Sequence, residues 1–440
     1  MQRGSDDQSV RRRRRAVAAV ADQAVSSVGN AALTILAARA LSGQDFGQYA
    51  LVLGVYQLLV VVGQSLVGEP LLVLSGSADA ASDRRPVRGG IGASLALGLV
   101  ATAVLLPVGV LTGVSSFWAL GVLLPGLLVQ DALRYVAFDR RWPSVALASD
   151  SAWVFLQLLA TVVVLTSVRP TAAALLLAWG VPVYGAVLVA AVPLRTGPSL
   201  RQVPGWLRAT RHLGGRFLVE SGVSNGVFQV SLLITGGLAG VTQAGRLRLV
   251  QTLFGPIHIM VSGTRAYGLP EMSRTVAVGA SVRPLALRVS AVLGCAAAGW
   301  TCALLLVPDG LARDVIGPSW PELTALIALL GLHKTLESAG VGPYLVHRAR
   351  LLASWTLRVR LGASVVATVG TVGFSWFWGA AGAAAAAVLG STVAVSLWWW
   401  RYLRADRPAG GNEQRSAGPL PRATGKQSIL LLSAIESDSV

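Results

Sequence analysis

The chain has 440 residues, of which 53% are hydrophobic and only 13% charged, and it carries a formal net charge of +17 at pH 7. Together with a mean hydropathy of +0.62, this composition is typical of polytopic membrane proteins and argues against a soluble enzyme core. The basic residues are dispersed between apolar segments and form no separate basic domain, so nucleic acid is not the expected partner.

Apolar stretches of transmembrane length follow one another from residue 16 to residue 400. Each has about 20 residues or more, the length at which a helix crosses the roughly 30 Å hydrocarbon core of a bilayer. The predicted spans are 16–40, 48–73, 89–112, 116–138, 144–167, 171–194, 217–240, 248–269, 285–307, 323–345, 355–377 and 379–400. The sequence therefore predicts an all-α polytopic membrane protein with about 12 transmembrane helices.

Arginines concentrate in every second loop between these spans. They occur at 11–15, 84–88, 140–141, 195–216, 274–283, 348–350 and 401–404. The positive-inside rule places loops of this kind in the cytoplasm. We therefore expect a multi-pass protein of the plasma membrane whose N and C termini are both cytoplasmic.

Six spans on each side of a basic central segment indicate two halves with the same orientation in the membrane. A shift of 198 residues aligns Asp22 with Glu220 and Gly47 with Gly245, which indicates duplication, although chance explains so few matches equally well. The predicted parts are a basic cytoplasmic N-terminal tail at 1–15, a six-helix bundle at 16–194, a cytoplasmic basic linker at 195–216, a second six-helix bundle at 217–400 and a disordered cytoplasmic tail at 401–440.

The central linker admits two interpretations. Trp206 and Leu207 could lie in the lipid headgroup region while the neighbouring arginines meet anionic lipid. A plain connection between the two halves explains the same composition equally well.

Polar residues inside the predicted spans recur at helical spacing. Span eight carries Arg248, Gln251, Gly255, His258, Ser262 and Arg265 at steps of three or four, which places them along one side of a helix. Because polar groups in a bilayer usually face a bundle interior or a wet cavity, this stripe predicts a polar path across the membrane. The alternative is that the two arginines snorkel from opposite ends of the helix.

Milder polar faces occur in spans one and two, with Asn30 in the first and Gln57, Gln64 and Glu69 in the second. Hydrogen bonding between helices accounts for these residues as well as a binding role does. In span ten, Lys334 and Glu337 form an i, i+3 pair that is either a structural ion pair or a substrate contact. For Asp131 and Arg134 of span four, the structural interpretation is favoured.

Signatures of soluble enzymes are missing from the sequence. It contains no HExxH, CxxC or GxxxxGK motif, and its four histidines are scattered. We therefore expect a protein that is not an enzyme and that has no cofactor and no metal site.

Short segments of the chain resemble one family of transporters. They are Asp22-Gln23-Ala24-Val25-Ser26-Ser27, Leu36-Ala37-Ala38-Arg39-Ala40-Leu41, Asp45-Phe46-Gly47-Gln48-Tyr49-Ala50, Val67-Gly68-Glu69-Pro70-Leu71-Leu72, Gly255-Pro256 and Ile316-Gly317-Pro318-Ser319-Trp320. Together they resemble the polysaccharide exporters, the flippases of lipid-linked oligosaccharides, in the multidrug/oligosaccharidyl-lipid/polysaccharide (MOP) exporter superfamily.

The resemblance implies two six-helix bundles around a central cavity that opens alternately to the two sides of the membrane. The implied substrate is a polyprenyl-pyrophosphate-linked oligosaccharide used in surface polysaccharide biosynthesis, and other polysaccharide-assembly membrane proteins are possible partners. The residues that the resemblance assigns to substrate binding are Arg39 and Arg265 on the pyrophosphate, then Arg248 and Lys334, with Gln57, Gln64, Gln251 and Asn30 for the sugar. Asp22, Glu69 and Glu220 are the candidates for ion coupling, and helix capping or an ion pair is the alternative for each, favoured for Glu220.

Two other functions remain open at this point. The first is a multidrug or small-solute antiporter on a similar scaffold. The second is a membrane glycosyltransferase or polymerase that joins lipid-linked sugars, against which the short predicted outer loops argue.

Overall fold

The computed structural model of the chain describes residues 25, 27, 29–74, 85–167, 170–278, 280–317 and 320–405. Within these ranges the secondary structure is helical and no β-strand occurs, which confirms the all-α prediction. The predicted N-terminal tail at 1–15, the candidate coupling residue Asp22 and residues 406–440 of the predicted C-terminal tail lie outside the described residues.

The helices follow one another with short connections. They are α1 (29–40), α2 (Gly43–Leu74), α3 (Arg85–Thr112), α4 (Ser115–Asp139), α5 (Pro143–Ser167), α6 (Ala172–Leu194), α7 (Val203–Ser221), α8 (Val227–Ala239), α9 (Val241–Leu253), α10 (Gly255–Ala277), α11 (Arg283–Leu305), α12 (Asp309–Ile316), α13 (Thr324–Ala339), α14 (Val341–Ala349) and α15 (Ala353–Ala405). Packing separates a large unit, residues 1–399, from a small one at 400–440, of which only the end of α15 is described.

Twelve helical passes can be traced through the described residues once broken helices are joined. A π-helical turn, Gly222–Gly226, connects α7 to α8, and a break at Phe254 separates α9 from α10. Helix α15 contains two passes because Gly379 has φ 56° and ψ −130°, a conformation that only glycine adopts readily. The chain folds back there, so that Gly382 lies against the carbonyl of Phe374 and Gly390 against that of Ala363.

Seven of the described helices are individually long and apolar enough to cross a membrane, and one bent pair would raise that number to eight. The passes that fail this test are shortened by breaks or carry charged residues. Predicted span eight is the clearest case, because it begins at Val241, earlier than expected, and includes Arg246, Arg248 and Arg265. The multi-pass membrane character of the chain therefore stands.

Helix α7 occupies most of the basic segment at 195–216, the predicted linker. Trp206 is 4% exposed, so the expectation that it lies among lipid headgroups is wrong. Its indole N–H donates to the carbonyl of Leu66 at 3.1 Å, and its ring packs beside Gly90 of α3. Burial of a large aromatic ring whose N–H has a partner is favourable, and it docks α7 on the N-terminal half.

The two halves meet closely where α2 contacts α9. A Cβ atom added to Gly47 would lie 2.1 Å from the carbonyl oxygen of Val241, and one added to Gly245 would lie 3.1 Å from the Cα of Gly47. Only glycine permits so close an approach of two helix backbones. These two glycines are the pair that the 198-residue shift relates, so corresponding positions of the two halves touch each other.

We predict that Gly47→Ala destabilises the protein because the new methyl group overlaps backbone atoms that cannot rotate away. The expected cost is about 1–3 kcal/mol, the range for overpacking. The measurement is the thermal unfolding midpoint of the purified protein in detergent. Gly237→Ala is the matched control, since no atom lies within 4 Å of its added Cβ. Equal midpoints for the two variants would contradict the close contact.

Candidate substrate-binding site

One carboxylate in the C-terminal half is shared by two cations. Glu337 Oε2 accepts from Lys334 Nζ at 2.8 Å, which is the i, i+3 pair expected from the sequence. Its other oxygen, Oε1, accepts from Arg265 Nη2 of α10 at 3.2 Å. The side chains of all three residues are about one-fifth to one-quarter exposed. The arginine of span eight and the lysine of span ten therefore meet at a single anion.

A histidine, His333, lies beside the carboxylate that Arg265 and Lys334 share. His333 Nε2 lies 4.0 Å from Glu337 Oε2, and its Nδ1 lies 2.7 Å from the hydroxyl of Ser391. The backbone carbonyl of Ala387 is also within hydrogen-bond distance of Nδ1. These contacts tie α13 to the last pass of α15 and fix the imidazole beside the shared carboxylate.

Tyr344 of α14 gathers three arginines around one aromatic ring. The guanidinium carbons of Arg265, Arg348 and Arg360 lie 5.5, 6.0 and 5.3 Å from the ring centroid. A guanidinium within about 6 Å of an aromatic centroid is attracted by the ring quadrupole, and more strongly where water is excluded. Tyr344 itself is only 8% exposed, so it is a fixed support for the three cations.

Helix α7 connects these residues to the N-terminal half. Arg348 Nη1 donates to Glu220 Oε1 at 2.9 Å, and Ser221 Oγ donates to Glu69 Oε1 of α2 at 2.8 Å. Glu220 and Ser221 are adjacent in sequence, so α7 is bonded to α2 on one side and to α14 on the other. Of the three carboxylates proposed for ion coupling, the two that the structure describes, Glu69 and Glu220, thus take part in contacts between helices.

The local charge is positive. We call Arg265, Lys334, Arg348, Arg360, Glu220 and Glu337 the arginine cluster, and it contains four cations against two carboxylates. Arg265 also has a buried Nε with no hydrogen-bond partner in the described part of the chain. Because cations outnumber carboxylates in this group, the arrangement favours an anion as its ligand.

The other sequence-predicted residues lie apart from this cluster. Arg248 lies about 25 Å from Arg265 along the helix axis at 1.5 Å per residue, beyond the break at Phe254. The Nε of Arg248 and the Nε2 of Gln251 are buried without partners among the described residues. Arg39 and Asn30 are exposed on α1, and Arg39 is near the end of α1 at which Gly317 approaches the Ala38 carbonyl. The structure does not bring Arg39 and Arg265 together.

The two candidate glutamines of α2, Gln57 and Gln64, are partly buried, and Gln64 belongs to a second polar group, of which the sequence analysis missed Gln130 and Asp150. Gln64 Nε2 donates to Asp131 of α4 at 3.2 Å, and Gln130 donates to Asp150 of α5 at 2.6 Å. Arg134 Nε lies 3.6 Å from the same Asp150, so it pairs across helices. Asp150 is 3% exposed and is the only carboxylate of predicted span five, which was the available signal.

No group of three or more metal-ligating His, Cys, Asp or Glu side chains occurs in the described ranges. A largely apolar cavity of about 360 Å³ lies between α10 and α11. The residues that line it from α10 are Gly263, Thr264, Gly268, Glu271 and Met272, and those that line it from α11 are Leu285 and Val289. Its wall on α10 thus includes residues on either side of Arg265 in the sequence.

Comparison with known proteins is informative only at the level of structure. No protein-family model matches the chain, and no curated protein sequence matches it. Solved structures do match over most of its length.

The lipid II flippase MurJ in an inward closed conformation superposes with a TM-score of 0.67 at 9% identity, covering 89% of this chain and 87% of that one. A multidrug resistance MATE family transporter of the MOP superfamily matches in its inward-facing conformation with a TM-score of 0.63 at 15% identity, covering 88% of this chain and 98% of that one. An outward-facing MATE transporter of the same superfamily matches with a TM-score of 0.59 at 14% identity, covering 88% of this chain and 95% of that one. The chain therefore has the fold of MOP superfamily transporters.

Proposed function

We propose that this protein moves a lipid-linked oligosaccharide with a phosphate-bearing headgroup outward across the plasma membrane. The observation that carries the proposal is the arginine cluster, where cations outnumber carboxylates around Tyr344. A pyrophosphate presents several negatively charged oxygens, and the planar fork of a guanidinium matches such oxygens with two parallel hydrogen bonds. Arg265 is the principal binding residue in this proposal, because its Nε has no hydrogen-bond partner among the described residues.

The apolar part of such a substrate also finds a counterpart. The cavity between α10 and α11 is largely apolar and adjoins the stretch of α10 that carries Arg265. A prenyl chain could occupy that cavity while its phosphate contacts the cluster. An apolar cavity next to the arginine cluster suits an amphiphile with an anionic head better than it suits a small polar solute.

Transport requires that the substrate bind two conformations differently. Contacts between the halves occur at both ends of the bundle in this structure. Gly47 and Gly245 meet near one end, while Glu69, Ser221 and Glu220 link α2, α7 and α14 near the other. Rocking of one half against the other would exchange which set of contacts is formed, as in transporters built from two repeats.

A multidrug transporter is the second candidate, because MATE transporters share this fold over most of the chain, as the lipid II flippase does. That likeness supports the two substrates equally, since it rests on fold alone. The charge of the cluster favours the phosphate-bearing substrate, because an excess of two positive charges repels an organic cation and attracts a phosphate. A glycosyltransferase or polymerase has no supporting observation in the described residues.

The first test of the proposal is substitution of Arg265. Arg265→Ala and Arg265→Lys should each lower the transport rate about tenfold or more, because hydrogen bonds to a charged group contribute about 1.5–3 kcal/mol. Lysine should not rescue, since it lacks the bidentate fork. The measurement is movement of a fluorescent prenyl-pyrophosphate oligosaccharide across proteoliposomes that contain equal amounts of each protein.

The matched control is Arg283→Ala, which removes an exposed arginine from the start of α11 outside the arginine cluster. It should transport at the wild-type rate. Normal transport by both Arg265 variants would remove that residue from the mechanism. Efflux of a cationic dye by the wild-type protein, with no movement of the lipid, would support the multidrug function instead.

The second test concerns the aromatic support of the arginines. Tyr344→Leu should lower transport about tenfold, because it removes three cation–π contacts that contribute about 0.5–1 kcal/mol each. Tyr344→Phe retains the ring and should keep most of the rate. Transport in the same proteoliposomes is compared with the thermal unfolding midpoint of each variant. Equal losses in the two variants would show that the hydroxyl group, and not the ring, is what matters.

A further inference from the structure

The exposed face of α7 carries a concentration of positive charge that the proposed function does not use. Residues 195–219 contain five arginines and no acidic residue. Arg208, His212 and Arg216 follow at four-residue steps, and Arg211 lies beside them. All four side chains are exposed. We call this set the α7 basic face.

The opposite face of α7 is fixed to the protein. Trp206, Thr210, Gly214 and Ser221 are buried, again at helical spacing. The Trp206 indole bonds to Leu66, and a Cβ on Gly214 would meet the Leu66 side chain at 3.1 Å. The α7 basic face is therefore held at a set position beside the end of α2, and it cannot turn inward to find a protein partner.

The length of the helix places this face at the membrane boundary. Helix α7, the π-helical turn and α8 contain 19, 5 and 13 residues and form one continuous helix. At 1.5 Å per residue it is about 55 Å long, whereas the hydrocarbon core of a bilayer is roughly 30 Å thick. Most of α7 thus lies beyond the core. Leu207, Leu218 and Val219 are 43%, 37% and 48% exposed beside the arginines.

The charges on this face need counter-ions from outside the protein. Like charges at i, i+3 and i, i+4 destabilise a helix, and no ion pair joins Arg208, Arg211 or Arg216 to a carboxylate within the described residues. Exposed apolar side chains mixed with arginines are typical of a helix that lies in the interface of an anionic leaflet. The positive-inside rule explains which side these arginines occupy, but it does not require them to share one face.

We propose that the α7 basic face binds the headgroups of anionic phospholipids of the inner leaflet and that this binding stabilises the docked position of α7. The consequence for the protein follows from the bonds at the end of α7. Because Ser221 contacts Glu69 and Glu220 contacts Arg348, lipid that holds α7 in place also holds the contacts between α2, α7 and α14. The proposal does not depend on which substrate is transported.

The test uses the full-length protein in nanodiscs of phosphatidylcholine alone or mixed with phosphatidylglycerol. Phosphatidylglycerol should raise the thermal unfolding midpoint of the wild-type protein at low ionic strength. The triple variant Arg208→Gln, Arg211→Gln, Arg216→Gln should lose most of that shift. Its apparent affinity for phosphatidylglycerol, titrated in detergent, should fall about fivefold for each arginine removed.

Two further triple variants keep the test specific. The triple variant Arg208→Lys, Arg211→Lys, Arg216→Lys should retain the shift, because an anionic surface attracts charge without requiring a bidentate fork. The triple variant Arg283→Gln, Arg288→Gln, Arg358→Gln, which removes three other exposed arginines, should also retain it. The midpoint of every variant in phosphatidylcholine alone shows whether it folds.

Three outcomes would overturn the proposal. The first is a phosphatidylglycerol shift in the α7 glutamine variant that equals the wild-type shift. The second is an equal loss in the variant of Arg283, Arg288 and Arg358, which would indicate a general effect of net charge. The third is that soluble glycerol phosphate reproduces the shift, which would assign the face to free phosphate and not to a lipid surface.

Discussion

The sharing of Glu337 by two cations is the interaction on which the C-terminal half depends. A charge inside a bilayer is tolerated only where it is paired or wet, and here Arg265 and Lys334 satisfy that condition at one carboxylate. The pairing joins α10 to α13, and the ring of Tyr344 adds α14 and α15 to the same group. Because one anion serves two cations, the helices can pack around the group while a net positive charge remains for a ligand.

The sequence was sufficient to predict the membrane passes because their signal is local. An apolar stretch of about 20 residues indicates a transmembrane helix regardless of what surrounds it. Prediction was incomplete where the signal depends on a partner. The basic composition of 195–216 predicted a linker but not the helix α7 within it, whose Trp206 occupies a buried pocket and donates to a carbonyl of the N-terminal half. Charge content alone could not indicate that pocket.

The candidate site was predicted in part for the same reason. Steps of three and four within a helix identified Lys334 with Glu337 and placed Arg265 on a polar stripe. They could not indicate that Arg265 reaches Glu337 across 72 positions of the chain, nor that Tyr344 lies among three arginines. Nor could they indicate that Asp150 pairs with Gln130 and Arg134, because these contacts join different helices. Arg39, which the resemblance assigned to the same pyrophosphate as Arg265, is exposed on α1 and lies apart from Arg265.

The meeting of Gly47 with Gly245 has an implication for the origin of the molecule. In a symmetric dimer, residues near the twofold axis contact their own copies, and such an interface is isologous. Gly47 and Gly245, the pair that the 198-residue shift relates, occupy that place in this single chain. If the halves descend from one six-helix ancestor, that ancestor already contained a self-complementary surface and could assemble as a homodimer. Fusion of two genes would then have preserved an existing contact surface. The two halves expressed as separate polypeptides would still possess that surface and could bind each other through it.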